Sequence, residues 1–532
     1  MIPLLVQIWP QPIAPIHSLP ISALAAMIPL LVVLLLMGLL QRSGLLASAC
    51  GLASAGILAM WAWGMPARMA GWSVAYGFAY AVWSILWIVF NALWLYNLAV
   101  EAGSFELLRK WMEHHASGEE CIQAILVAFC FGALLEGTAG FGAPVAVTAF
   151  LLVGLGFKTQ KAVVVSLIAN TAPVAFGALG VPIVALAGVT GLDLAKLSAM
   201  VGRQLPLLSL ILPAYIAIVV GGWKGLRRSW PVALVAGFSF AGAQFLVSNL
   251  WGPYATDIAS SLVSIACVTV YLRIGKADRL LTANRSGRIP FRDAFRAWWP
   301  WIVLSGAMIL WSYFRLFQKG QIQVAIPVLH NGILITLYQK VYAAIFTFQP
   351  LTGGTAVLAA IAVTALSFGM HPRVILAAGT KTLRQLRLPG LTVLFIVGLA
   401  YLYNYSGMAY TLGAALARTG AIFPLVSSFL GWVACFLSGS DTASNLLFGN
   451  LQVAAAHELH LSPLLMAATN SSGAVTGKMI SPQNIAIGVT TVGMVGKEGK
   501  VLRATFWHSV LLAAFIGVLA YAQVHFLARM VP

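Results

Sequence analysis

LLEGTAGFGAP occupies residues 134–144 and FLSGSDTASNLL occupies residues 436–447, each within a nearly uncharged apolar stretch. Glu136 and Asp441 are the acids of these stretches, and each stands beside glycines that weaken a helix. The fold turns on why an acid and broken backbone share such a place.

The surroundings are membrane-like. The chain has 532 residues, 60% hydrophobic and 8% charged, with a mean hydropathy of +0.92. A soluble domain carries about 25% charged residues. Apolar runs near 24–41, 45–63, 78–100, 122–135, 205–222, 231–247, 258–272, 300–311, 355–369, 390–402 and 505–527 mostly reach the roughly 20 residues that a crossing needs. Those at 122–135, 300–311 and 355–369 are shorter. The expected fold is an all-α polytopic membrane protein with roughly 12–16 membrane segments. A transmembrane barrel would show short alternating segments instead. The first apolar run follows four prolines without a basic leader, so it reads as a first membrane helix, not a cleaved signal.

The net charge of +18 does not point to nucleic acid, because the basic residues are grouped. Arg273, Lys276, Arg279, Arg285, Arg288, Arg292 and Arg296 share one stretch. Lys224, Arg227 and Arg228 share a second, and Arg373, Lys381, Arg384 and Arg387 a third. All three read as cytoplasmic linkers. The five cysteines lack metal or redox spacing, and no metal or other cofactor is expected. His457, His460 and His508 read as solvated or packed residues rather than a site.

The thirteen acids can be placed one by one. Five lie in the polar stretch 101–120, Asp193 and Asp257 beside expected helix ends, and Asp278 and Asp293 in the basic linker. Glu458 and Glu498 lie in polar connections, which leaves Glu136 and Asp441 at membrane depth. A charge there costs at least about 2.5–3.5 kcal/mol unless it faces a cavity, pairs with a cation or takes a proton. A salt bridge that only joins helices needs no neighbouring Gly137, Gly140 and Gly142, nor Ser440, Thr442 and Ser444. Broken backbone in a membrane survives only inside protein or along a watery cavity. Its freed N–H groups make a carboxylate site. Tight small-residue helix packing also explains glycines, but not the added Thr, Ser, Asp and Asn.

The pattern recurs. Glu136-Gly137-Thr138 sets beside Ser438-Gly439-Ser440 at a shift of 302. Residues 170–177 (NTAPVAFG) set beside 470–477 (NSSGAVTG) at a shift of 300, which Pro182 and Pro482 keep. Leu95-Tyr96-Asn97 echoes Leu402-Tyr403-Asn404. Two repeats are expected, at roughly 70–200 and 385–500, each with two adjacent breaks. Segments 1–69, 201–384 and 501–532 supply the remaining membrane helices. Whether the repeats are inverted depends on the number of crossings between them, which sequence leaves open.

Lys478 has Ala178 as its counterpart, so the repeats differ in charge there. It either neutralises Asp441 or Glu136, faces an anionic substrate, or snorkels to an interface. Met479 follows it where a phosphate loop needs Ser or Thr, so nucleotide binding is rejected. No GxGD surrounds Asp441 and no HExxH is present, which argues against an intramembrane enzyme. A channel usually needs a symmetric ring of chains.

At these stretches the sequence resembles the L-lactate permease family. The resemblance rests on FGALLEGTAGFGAPVAV (131–147), LLVGLGFK (151–158), NTAPVAFGALGVPI (170–183), VGRQLP (201–206), NYSGMAYTLGAALARTG (404–420), SGSDTASNLLFGNLQ (438–452) and TGKMISPQNIAIG (476–488). It runs from about residue 80 to the C-terminus and is weakest across 275–350. It implies uptake of L-lactate, with D-lactate and glycolate as further cargoes, coupled to protons in a bacterial inner membrane. It also implies kinship with transporters that have inverted repeats, re-entrant hairpins and elevator-like motion.

A small 2-hydroxycarboxylate needs N–H donors or a cation for its carboxylate, and an acceptor and a donor for its hydroxyl. The candidate substrate-binding residues are Thr138, Gly140, Gly142, Asn170, Thr171, Ser440, Thr442, Asn470, Ser471, Ser472 and Lys478. Asp441 is the first candidate for proton carrier and Glu136 the second. The expected partners are a small monocarboxylate, a proton and membrane lipid, with no nucleic acid; a homo-oligomer is compatible with this reading. A sodium-coupled carboxylate transporter is the alternative. Phe105–Glu113 reads as an amphipathic helix, lying along the interface as an arm or serving as an ordinary loop helix.

Overall fold

The computed structural model describes residues 8–40, 42–115, 119–138, 140, 142–274 and 290–532. The middle of the basic linker, 275–289, lies outside the described residues. Among the described residues, nine helices are long and apolar enough to cross a membrane, or ten if one bent pair counts as a span. Three shorter apolar helices, Ala143–Gly154, Gly353–Ser367 and Met408–Ala417, join them. Exposed Leu24, Ile57, Phe238, Leu366 and Val518 belong to the outer surface that lipid covers.

The chain starts with α1 (Leu19–Leu34), α2 (Gly44–Trp61), α3 (Ala67–Tyr80) and α4 (Trp87–Glu101). Next comes α5 (Ser104–His115), the amphipathic helix expected from its pattern. Its Arg109 pairs with Glu106 at 2.6 Å, and Trp111 meets Trp298 edge-on with ring centroids 5.1 Å apart. Its buried Leu108 shows that part of its apolar face is covered by protein.

A span Glu120–Thr138 follows, buried throughout after its first residue. It comprises α6 (Glu120–Gln123), a π-helical stretch (Ala124–Phe131) and α7 (Gly132–Thr138). Its partner α8 (Ala143–Gly154) packs back against α7 as a helical hairpin, with Gly140 and Gly142 both left-handed between the two helices. Then α9 (Thr159–Ala169) meets, at an angle of 66°, a segment made of a 3-10 turn (Val174–Phe176) and α10 (Gly177–Thr190), within which a second break lies at 178–180. Ala178, Leu179 and Gly180 are all left-handed there, with φ of 44°, 61° and 72°. Two of the three bear a Cβ, a strained arrangement that persists where surrounding structure imposes it.

α11 (Leu194–Leu250) is broken at Gly222, where φ is 62°. A Cβ on Gly237 would meet the Leu210 carbonyl at 2.4 Å, and one on Gly202 would meet Ser248 Oγ at 1.8 Å. The arms before and after Gly222 therefore run antiparallel. Lys224, Arg227 and Arg228 sit just past this turn. The third basic group differs from its reading as a linker. Arg373, Lys381, Arg384 and Arg387 lie inside a 35-residue helix, Pro372–Ser406. At about 1.5 Å per residue it is long enough to carry a basic end beyond the apolar layer.

α12 (Thr256–Ile274) and α13 (Phe291–Tyr313) complete the middle of the chain. Strands then depart from a purely helical reading. Ile322–Ala325 pairs antiparallel with Ile345–Phe348, and Trp9–Pro10 runs parallel to Ile333–Leu334. Gln11 Nε2 continues this attachment by donating to the carbonyls of Asn404 and Tyr405. Strands of two to four residues leave no hydropathy signature.

The helices α14 (Gly353–Ser367), α15 (Pro372–Ser406) and α16 (Met408–Ala417) precede a second hairpin. It consists of α17 (Phe423–Ser438) and α18 (Asp441–Glu458), with Gly439 left-handed at its tip. A second broken segment follows: α19 (Pro463–Gly477), a 3-10 turn (Lys478–Ile480) and α20 (Pro482–Thr491). α21 (Glu498–His525) is the last long helix.

α17 and α19 touch backbone to backbone. A Cβ on Gly431 would lie 2.0 Å from the Asn470 carbonyl, and one on Gly473 would lie 2.1 Å from that of Ser428. Glycine thus serves two ends in this half: close packing along the helices and reversal at the tip.

Candidate functional site

The two hairpin tips and the two broken segments face one cavity of about 190 Å³. Its lining includes Gly140 and Gly142 from the first tip, Gly439 to Thr442 from the second, Gly177, Ala178, Val181 and Pro182 around the left-handed break, and Lys478, Gln483 and Asn484. Sites for drug-sized ligands are larger, about 300–1,000 Å³. This one suits a small molecule.

Helix starts surround it. α8 begins after Gly142, α18 after Ser440, and α20 after Ser481. The helical part of α10 resumes at Val181, next to lining residue Pro182. Each start turns backbone N–H groups and a partial positive charge outward, a favourable place for an anion. Ser440 and Ser481 cap their own helices, accepting from the N–H groups of Ala443 and Asn484 at 3.3 Å.

The charged side chains are unequal. Lys478 Nζ lies 2.7 Å from Glu136 Oε1, joining the two halves of the chain in a buried ion pair. Asn170 Nδ2 donates to the other oxygen of Glu136 at 2.9 Å. Glu136 is therefore held on both sides. Asp441 receives one bond, from Ser471 Oγ at 2.9 Å, and its Oδ1 has no partner. A glycine makes room for the ion pair: a Cβ on Gly177 would lie 2.6 Å from Glu136 Oε1.

Behind this first layer is an amide network. Asn445 donates to Ser471 Oγ at 3.1 Å and to the Pro182 carbonyl at 3.1 Å. Asn470 donates to Asn445, and Gln452 to Asn470, both at 2.9 Å. The network fixes the Ser471 hydroxyl that reaches Asp441 and ties the second hairpin to the first half.

Of the residues singled out from sequence, Glu136, Gly140, Gly142, Ser440, Asp441, Thr442 and Lys478 line the cavity. Asn170 and Ser471 stand behind its carboxyls, and Asn470 is one bond further back. Thr138 instead bonds the carbonyls of Leu134 and Leu135 in its own helix. Thr171 and Ser472 are buried, with hydroxyls that have no partner. Sequence reasoning passed over Gln483 and Asn484, although both follow the break at Ser481-Pro482 directly. Asn484 bridges the second tip, donating to the Gly439 carbonyl at 3.0 Å and to Ser481 Oγ at 2.7 Å.

A larger cavity of about 1030 Å³ adjoins the site and shares Val181, Pro389, Ser440, Thr442 and Gln483 with it. Arg42 and Glu498 are among its lining residues. No group of His, Cys, Asp and Glu among the described residues has the arrangement of a metal site.

A family model described as L-lactate permease matches residues 22–527. The chain belongs to the L-lactate permease family. The glycolate permease GlcA of Escherichia coli K12 is 40% identical over 97% of this chain and 98% of its own length. The L-lactate permease of the same organism is 40% identical over 99% of this chain and 100% of its own. That of Bacillus subtilis 168 is 38% identical over 98% and 100%. Solved structures similar to the chain include the YdaH transporter of Alcanivorax borkumensis, with a TM-score of 0.46 and 16% identity over 86% of this chain and 89% of that one. MtrF of Neisseria gonorrhoeae gives a TM-score of 0.45 and 14% identity over 85% and 83%. The permease is thus a transporter, not an enzyme, and a multi-pass protein of the bacterial inner membrane.

Proposed function

We propose that this permease takes up L-lactate, with D-lactate and glycolate as further cargoes, by proton symport. The observation that carries this reading is Asp441. It is 2% exposed, lines the small chamber and has one carboxyl oxygen without a partner. The names of the relatives, lactate and glycolate permeases, support the cargo class.

The substrate carboxylate is received by the N–H ends of α18 and α20, with Asn484 and Thr442 alongside. Lys478 adds the positive charge. Glu136 holds this ammonium in place and itself accepts from Asn170. Asp441 takes the proton and in that form donates to the bound anion. An anion together with a proton carries no net charge. The membrane potential, about 2.3 kcal/mol per charge per 100 mV, then neither drives nor opposes the loaded step.

Each half has a hairpin, a broken segment and a long helix in the same order. This order supports a duplication; in our reading the two repeats are inverted, and the hairpins and broken segments move together past the remaining helices as an elevator. The test is uptake of labelled L-lactate into proteoliposomes under a pH gradient without sodium, competed by D-lactate, glycolate and pyruvate. Accumulation that follows the pH gradient supports symport. A strict sodium requirement would replace the proton with sodium, absence of L-lactate uptake would remove the cargo, and failure of D-lactate or glycolate to compete would remove that further cargo.

A further inference from the structure

Among the described residues, the buried charged side chains are Glu136, Asp441, Lys478 and one more, Asp257. Asp257 is 1% exposed and stands in the first turn of α12. Neither of its carboxyl oxygens has a hydrogen-bond partner. It does not line the chamber but packs against the first hairpin. A Cβ on Gly137 would lie 2.8 Å from the Cβ of Asp257 and 3.2 Å from the N–H nitrogen of Ile258. Gly137 is therefore what lets α12 begin this close to Glu136.

An ordinary role for an acid at a helix start is capping, in which its oxygens accept from N–H groups two or three residues on. Asp257 makes no such bond. The neighbouring hydroxyls are committed elsewhere: Thr256 to the Gly252 carbonyl, Ser260 to that of Thr256, and Ser261 to that of Ile258. Three buried carboxyls share one ammonium, and Lys478 is in contact with Glu136. A buried ion without a partner neutralises itself when it can. The charged groups on the elements packed around Asp257 are Glu136, next to Gly137 on α7, and Lys478, which pairs with Glu136.

We propose that Asp257 is a second proton-binding group of the coupling site, one that holds a proton when the site is empty and is coupled to Glu136 across Gly137. This rests on the symport reading and deepens it. Glu136 is the residue next to Gly137, so a change in its pairing with Lys478 changes the electric field in which Asp257 holds its proton. A substrate anion that draws Lys478 away from Glu136 therefore calls on both acids.

Infrared difference spectra on lactate binding test this, using full-length protein labelled with 13C-aspartate. In the Asp441→Asn variant one protonated-aspartate band is expected to persist, and to vanish in Asp441→Asn/Asp257→Asn. No band in Asp441→Asn, or a band that survives in the double variant, would overturn the proposal. The Asp257→Asn variant alone is expected to flatten the pH profile of lactate uptake, whereas a wild-type profile counts against the proposal. If the wild-type protein accumulates no lactate under a pH gradient, the symport reading fails instead, and the band in Asp441→Asn still reports on Asp257.

Discussion

Each hairpin carries one buried acid near its tip, yet the two acids are held differently. Glu136 of the first hairpin has a cation from the opposite half of the chain and an amide from its own. Asp441 of the second has a single hydroxyl from its own half and a bare oxygen. The broken segments differ in the same sense. The first turns through left-handed Ala178, Leu179 and Gly180, and the second places Lys478 on a 3-10 turn. One half supplies a fixed charge, and the other supplies both its counter-ion and the acid free to change. A common backbone plan with unequal charges is what a site needs to bind an anion and a proton together.

The largest effect is expected from breaking the link between the halves. Lys478→Ala leaves Glu136 charged, buried and without its cation, a loss of about 3–5 kcal/mol. Its folded yield, read by size exclusion in detergent, should collapse, and adding Glu136→Gln should restore it. Equal yields for the single and double variants would show that the pair does not join the halves. Next comes Asp441→Asn, which leaves the ion pair in place. Accumulation against a gradient should fall at least tenfold while lactate exchange survives. Undiminished lactate-driven alkalinisation would remove Asp441 from proton coupling.

Gly177→Ala is expected to act between these and the mildest changes. Its new Cβ meets Glu136 Oε1 at 2.6 Å, an overpacking cost of about 1–3 kcal/mol. The affinity for L-lactate should weaken as the ion pair is displaced, and unchanged binding would mean that the pair tolerates movement. The smallest effect, and of opposite sign, belongs to Ala178→Gly. It relieves a left-handed residue and should stabilise by roughly 1 kcal/mol, seen as a higher melting temperature in detergent. A lower one would show that the Ala178 methyl is needed for packing.

Much of this was legible in the residues. An acid among glycines in apolar surroundings marked both hairpin tips, because few other arrangements make a buried charge and broken backbone affordable together. Lys478 stood out by its charge, but its partner could not be read, since Glu136 and Asp441 are equally plausible until the halves are brought together. Asp257 was hidden for a different reason. Its position beside a helix end is shared by Asp193, a true cap that accepts from the Lys196 N–H at 2.8 Å. Only the packing of α12 on Gly137 distinguishes them. The Gly473 and Gly477 positions show the converse: they read as backbone breaks, yet Cβ atoms there would run into the carbonyls of Ser428 and Trp432. Close helix contact and loss of helix draw on the same residue, and local sequence does not separate them.

Protection from thiol labelling tests the shared chamber most directly. Val174→Cys from the first half and Thr442→Cys from the second, each in a background lacking the native cysteines, both line it. One occupied chamber requires L-lactate to slow labelling at both positions, with the same half-protecting concentration. Protection at one position alone, or at concentrations that differ widely between the two, would mean that the halves do not enclose a common substrate.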